Sequence, residues 1–196
     1  MGRLIRRMIQ RKWDGNTQRD AIRLDSQTPP QGVEVWEGLP YEEDGHPMHT
    51  LNLYRPAGVS GPLPTVVDIH GGGWMYGDRQ LNRNYCMYLA SRGYAVMGMS
   101  YRLVPEVTVA GQVQDVFASL HWLAEHSTEY GFDLSRVLLT GDSAGGHLTG
   151  LTACVQLSPD LQKLYQVDPL PFSFSALAIA HGVCDVYRFR LFTPLL

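Results

Sequence analysis

Several features that mark particular protein classes are scarce in this chain. Cysteine is one: Cys86, Cys154 and Cys184 are the only three in 196 residues. They are odd in number, widely spaced and without a C-x-x-C pair, so zinc-ribbon and thioredoxin-like readings have no basis. The expectation is reduced thiols filling core space in a cytoplasmic protein. Long apolar runs are missing too, and none approaches the length that spans a bilayer. Excess charge of one sign is slight: 16 Lys and Arg against 19 Asp and Glu leave a formal net charge of −3, which points to neither nucleic acid nor an anionic membrane surface. The phosphate-cradling pattern G-x-x-x-x-G-K-[ST] is absent. At the start, Arg3, Arg6, Arg7, Arg11 and Lys12 run through Leu4, Ile5, Met8 and Ile9, so no uninterrupted apolar region follows the charges as a secretory signal requires. Met1 to Trp13 is expected to form a first helix packed on the domain.

What remains is the composition of an ordinary globular protein, 44% hydrophobic and 18% charged, with 20 glycines and 12 prolines. That supply of turn residues suits a fold with many tight strand–helix junctions, and the length suits one domain. Residues 14 to 32 are polar and end in Thr28-Pro29-Pro30-Gln31-Gly32, which reads as a linker or loop. Residues 1–32 are therefore taken as an arm and linker, and 33–196 as the domain. Val33 to Trp36 and Met48 to Tyr54 alternate apolar and polar residues around the turn Glu42 to Pro47, the pattern of an antiparallel hairpin at a sheet edge. From Pro64 the pattern changes. Thr65–Ile69, Tyr94–Met99, Arg136–Thr140 and Ser175–Ala180 read as strands, the first of them buried on both faces. Leu81–Ser91, Gln112–Glu125 and a segment beginning at His147 read as helices. Strand and helix in alternation predict an α/β architecture, a mostly parallel sheet with helices on both faces.

Two motifs carry chemistry. Gly141-Asp142-Ser143-Ala144-Gly145-Gly146 contains G-x-S-x-G, directly after one expected strand and directly before a helical pattern. A strand that turns sharply into a helix holds the serine in a strained conformation with its hydroxyl exposed, and the flanking glycines avoid collision in that turn. Orphan N–H groups at the helix start favour developing negative charge there. His70-Gly71-Gly72-Gly73-Trp74 follows another strand directly. Acyl transfer builds an oxyanion that needs rigid donors. The backbone amides of a glycine run can reach it because no side chain intervenes, with the Ala144 amide as the natural partner donor.

With these motifs the chain resembles the esterase and lipase families that carry an HGGG oxyanion loop, related to hormone-sensitive lipase and bacterial carboxylesterases. Tyr101-Arg102-Leu103-Val104-Pro105-Glu106, and Asp115 followed by His121-Trp122-Leu123, add to the likeness over roughly residues 50 to 190. The resemblance implies an α/β-hydrolase fold and a carboxylic ester hydrolase working through an acyl-serine intermediate. It implies Ser143 as nucleophile, Gly71, Gly72 and Ala144 as oxyanion amides, and no cofactor or metal. In such families the acid and histidine follow the serine, on loops after later strands, and the sequence ends at Leu196 before them. The expectation is thus a hydrolase domain lacking its last strands. His181, just past an expected strand on the same sheet end as Ser143, is the candidate substitute base; His147, Asp160 and Asp168 are expected to play no part. The alternative function is a catalytically dead hydrolase-like fragment that binds a ligand or partner protein. Partners are expected to be a small-molecule ester, with no nucleic acid and no transmembrane segment, and self-association through the exposed sheet edge.

Overall fold

The computed structural model describes residues 15–185; the expected helix over Met1 to Trp13 lies outside them. Eleven numbered elements follow a helix α1 over residues 15–25. They are β1 (Val33–Pro40), β2 (Thr50–Pro56), β3 (Leu63–Ile69), α2 (Arg83–Ser91), β4 (Ala95–Met99), α3 (Val109–Glu125), α4 (Ser127–Tyr130), β5 (Phe132–Asp142), α5 (Ala144–Gln156), α6 (Pro159–Tyr165) and β6 (Phe174–Ala180). The six strands form one sheet in the order β1-β2-β4-β3-β5-β6. β1 pairs antiparallel with β2, and β2 antiparallel with β4, while β3, β4, β5 and β6 run parallel. The expected edge hairpin and parallel sheet are both present. The fold is that of an α/β-hydrolase.

Strand alternation divides the core into two layers. Tyr54, Val66 and Val96 face α2, where they meet Cys86, Met87 and Ala90. Leu53, Val67, Met97 and Leu139 face the other way, toward Val113, Val116, Phe117 and Leu120 of α3 and Leu148 of α5. The apolar stripe of α3, completed by Leu123, is fully buried or nearly so. Burying five such side chains contributes on the order of 10 kcal/mol before the cost of ordering the helix. The outer strand β6 is different, because Leu177 and Ile179 remain 43% and 41% exposed.

The structure differs from the sequence reading in three places. Residues 15–25 are helical rather than a linker, since no proline or glycine interrupts residues 16 to 27 and the Asp20–Arg23 pair spans one turn. The break falls at the proline pair. α6 is not predicted by periodicity, although its signals are local: Ser158 caps it by accepting from the Leu161 amide at 3.3 Å, Pro159 opens it, and Gln166 closes it in the left-handed region. Of the three cysteines, all free, only Cys86 fills core space; Cys154 and Cys184 are exposed.

Candidate active site

The carboxyl ends of β3 and β5 lie side by side, with Ile69 paired to Gly141. The two motifs continue from these ends. Brought together this way, Gly71, Gly72, Gly73, Asn82, Asp142 and Ser143 line one cleft of about 370 Å³, with Asn16, Asp20 and Arg23 of α1 forming its far wall. This is the sheet end at which open α/β folds place their ligands.

Ser143 stands at the start of α5 with φ 51° and ψ −113°, a conformation that L-residues rarely adopt. Close packing explains the glycines on either side. A side chain at Gly141 would meet the Gly145 carbonyl carbon at 2.6 Å and the Ile69 carbonyl oxygen at 2.7 Å; one at Gly145 would overlap that same oxygen. The elbow is thus wedged against the end of β3, and the backbone strain of order 1–3 kcal/mol is held by the surrounding fold. The Ser143 amide donates to the Ala180 carbonyl at 2.9 Å, which ties the elbow to the end of β6 as well.

The glycine loop is pinned at several points. His70 is fully buried, stacks on Tyr101 at 4.3 Å between centroids and bonds the Gly71 carbonyl through Nδ1 at 2.6 Å. Burial lowers its pKa, which keeps the ring neutral. The Tyr101 hydroxyl donates to the His70 carbonyl at 2.9 Å. Trp74, at φ 63°, offers its carbonyl to the Val104 amide and the Gln112 side chain, and its indole N–H donates to His147 Nδ1 at 3.2 Å. The Tyr76 hydroxyl donates to Asp20 of α1 at 2.9 Å. Its pKa is pushed up to about 12, first by desolvation and then by that carboxylate.

The expected oxyanion amides do not all stand alike. The Ala144 amide opens α5, where helix geometry leaves N–H groups unpaired. The Gly71 amide is engaged: it donates to Asp142 Oδ1 at 2.9 Å. Gly71, expected among the oxyanion donors, thus has its amide bonded to a carboxylate. The Gly72 and Gly73 amides form no hydrogen bond among the described residues, and both residues have positive φ, 121° and 59°.

The candidate bases are placed as follows. His147 lies a turn into α5, half-buried, with Nδ1 accepting from Trp74 and its pKa lowered by desolvation. It serves the loop rather than the serine. His181 follows β6 at φ 52° with an exposed ring, and its chain neighbour Ala180 holds the Ser143 amide. The structure brings the His181 backbone to the elbow, but among the described residues no histidine ring bonds Ser143. Asp160 is in the first turn of α6, and Asp168 lies in the segment entering β6 from the opposite sheet end. No group of histidine, cysteine and acidic side chains able to hold a metal occurs among the described residues.

Sequence reasoning missed Asn82 and Asp68. The Asn82 amide donates to Asp68 Oδ2 and to Asp142 Oδ1, both at 3.0 Å. Asp68 is buried on β3, and desolvation raises its pKa to about 7 despite the Asn82 bond. An aspartate inside an otherwise β-branched strand, TVVDI, was the available signal.

Comparison with known proteins decides the family. A profile of the BD-FAE family matches residues 51–190. The chain belongs to that family. Among solved structures, esterase B from Lactobacillus rhamnosis inhibited with a C4-C4 SN3 tributyrin phosphonate superimposes with a TM-score of 0.95 at 48% identity, covering 97% of this chain and 62% of that one. A bacterial heroin esterase matches with a TM-score of 0.66 at 28% identity, over 83% of this chain and 49% of that one. Carboxylesterase NlhH of Mycobacterium tuberculosis is 36% identical over 140 residues, 68% of this chain and 42% of the relative. This BD-FAE chain therefore spans less than two thirds of the length of these relatives.

Proposed function

We propose that the protein is a carboxylic ester hydrolase in which Ser143 attacks the acyl carbonyl and carries the acyl group. The observation that carries this reading is the strained, glycine-flanked Ser143 sharing one cleft with the HGGG loop. Attack places negative charge on the carbonyl oxygen. The Ala144 amide at the α5 N-terminus and the Gly72 and Gly73 amides are the donors that meet it, the last in place of Gly71. The relatives support the same chemistry, since a phosphonate on esterase B is a tetrahedral mimic of acyl transfer and NlhH is a carboxylesterase.

A serine hydroxyl needs a base. His181 is the candidate within this chain, on the strength of its position beside the elbow. A second reading rests on the absence, among the described residues, of a histidine ring bonded to Ser143: a hydrolase-like fragment that binds a ligand or partner without turnover. Incubation with p-nitrophenyl acetate separates the two. Release of p-nitrophenol that Ser143→Ala abolishes, as a burst with acetyl-Ser143 or as steady turnover, supports the esterase; release no faster than from Ser143→Ala supports the binder.

The exposed β6 edge supports self-association as a further part of this proposal. The three free thiols support a cytoplasmic setting, and among the described residues no helix is long and apolar enough to cross a membrane. The bonds of Asp20 and Arg23 to the loop support residues 1–32 as an arm on a domain of 33–196.

A further inference from the structure

Beyond the nucleophile and oxyanion donors, the cleft contains a carboxylate that the mechanism does not use. Asp142 precedes Ser143, and its Oδ1 accepts both the Gly71 amide at 2.9 Å and the Asn82 side chain at 3.0 Å. A negative group beside a site that must stabilise developing negative charge opposes that charge. Its value therefore lies in accepting hydrogen bonds, not in its charge. We propose that Asp142 and Asn82 are positioning residues, a clamp that holds the Gly71 peptide and so fixes the Gly72 and Gly73 amides relative to Ser143.

Three observations support the clamp. First, a side chain at position 71 would overlap Asp142 Oδ2, so glycine is needed there to admit the carboxylate. Second, Asn82 occupies the N-cap position of α2, where asparagine normally bonds the helix's own amides. It makes no such bond. Its amide instead bridges Asp142 to the buried Asp68, at 3.0 Å on each side. Third, β3 and β5 are already joined through Ile69 and Gly141. The Asp142 bond acts beyond that last pair, on the loop alone, so sheet pairing does not require it. The clamp joins the nucleophile's strand to the Gly71 peptide of the oxyanion loop through one side chain. A bond from Asp142 that slackens moves both halves of the site apart.

The effect on rate rests on the esterase reading; the clamp itself does not. Two measurements on the full chain keep them apart. In amide hydrogen exchange followed by 1H–15N spectra, Gly71 exchanges at least ~10-fold more slowly than Gly72 and Gly73 in the wild type. Asp142→Ala brings it level with its neighbours, and Asn82→Ala moves it part of the way. Asp142→Asn, which keeps an acceptor oxygen, preserves the protection. In burst assays with p-nitrophenyl acetate, Asp142→Ala and Asn82→Ala slow acylation of Ser143 by roughly 10- to 100-fold without changing the ester concentration for half-maximal rate. Asp142→Asn recovers most of the loss. Gly71 exchanging as fast as Gly72 in the wild type overturns the clamp, without depending on any variant folding. So does a folded Asp142→Ala that acylates at the wild-type rate. If wild-type Ser143 takes no acyl group, the esterase reading fails, and the exchange comparison alone decides the clamp.

Discussion

At Ser143 a residue with an ordinary side chain is held at φ 51°, and the contacts that hold it are glycine backbones pressed against the end of β3. Gly145→Ala tests that packing. The added carbon overlaps the Ile69 carbonyl, which is backbone and cannot swing aside, so the variant is expected to lose about 3 kcal/mol or more in urea unfolding. Asp68 gives a second test. Its pKa rises from the ordinary carboxylate value to about 7, chiefly through desolvation. The folded state therefore binds a proton that the unfolded state has released, and stability falls as pH rises from about 4 to 7. Asp68→Asn removes that loss. Its advantage over the wild type grows across this window to at most about 4 kcal/mol above pH 7 and vanishes below pH 4, as pH-dependent urea midpoints measure. The glycines around Ser143 were legible because a local turn dictates them. The engagement of Gly71 was not, because it depends on a carboxylate 71 residues away. Asn82 was hidden for the same reason: its partners come from two different strands.

Among elements, α1 is the one whose role changes most. The stretch reads as a polar linker, yet it forms a helix whose Asp20 bonds Tyr76 and whose Arg23 bonds the Leu81 carbonyl at 3.0 Å. Helical spacing over residues 15–25 is weak, and tertiary bonds supply what local propensity lacks. Tyr76→Phe removes the bond to Asp20, worth about 1 kcal/mol at this partly exposed position. Tryptic cleavage after Arg19 and Arg23 is expected to quicken roughly 5-fold as the helix opens more often. Cleavage at the wild-type rate would show that the bond does not hold the helix. The strands and long helices were legible because their periodicities of two and 3.6 persist over enough residues to be distinguished. The short α4 and α6 hold too few residues for a period to show, and their local signals lie at their ends: Ser158 and Pro159 open α6, and Gly131 closes α4 in the left-handed region.

For the whole molecule, the order of the motifs along the chain and the parallel sheet were legible together. Each motif sits at a strand's carboxyl end, and parallel strands bring those ends to one side. The outer boundary of the sheet was harder to read, since a run such as SALAIA looks the same whether a neighbour covers it or not. In the structure Leu177 and Ile179 lie exposed on β6. An uncovered apolar edge strand promotes pairing with another chain. Sedimentation is expected to show association that grows with concentration, and Leu177→Lys to reduce it; a concentration-independent monomer would argue against the edge as a contact.

In the proposed reaction the elbow and the HGGG loop together form an acyl-transfer site. Its most direct test is intact mass spectrometry of the chain after brief exposure to p-nitrophenyl acetate, beside Ser143→Ala. A single acetyl group on Ser143, appearing with the p-nitrophenol burst and absent from the variant, is the predicted result. An unmodified Ser143 with no p-nitrophenol release above that of Ser143→Ala, or equal labelling in Ser143→Ala, would contradict it.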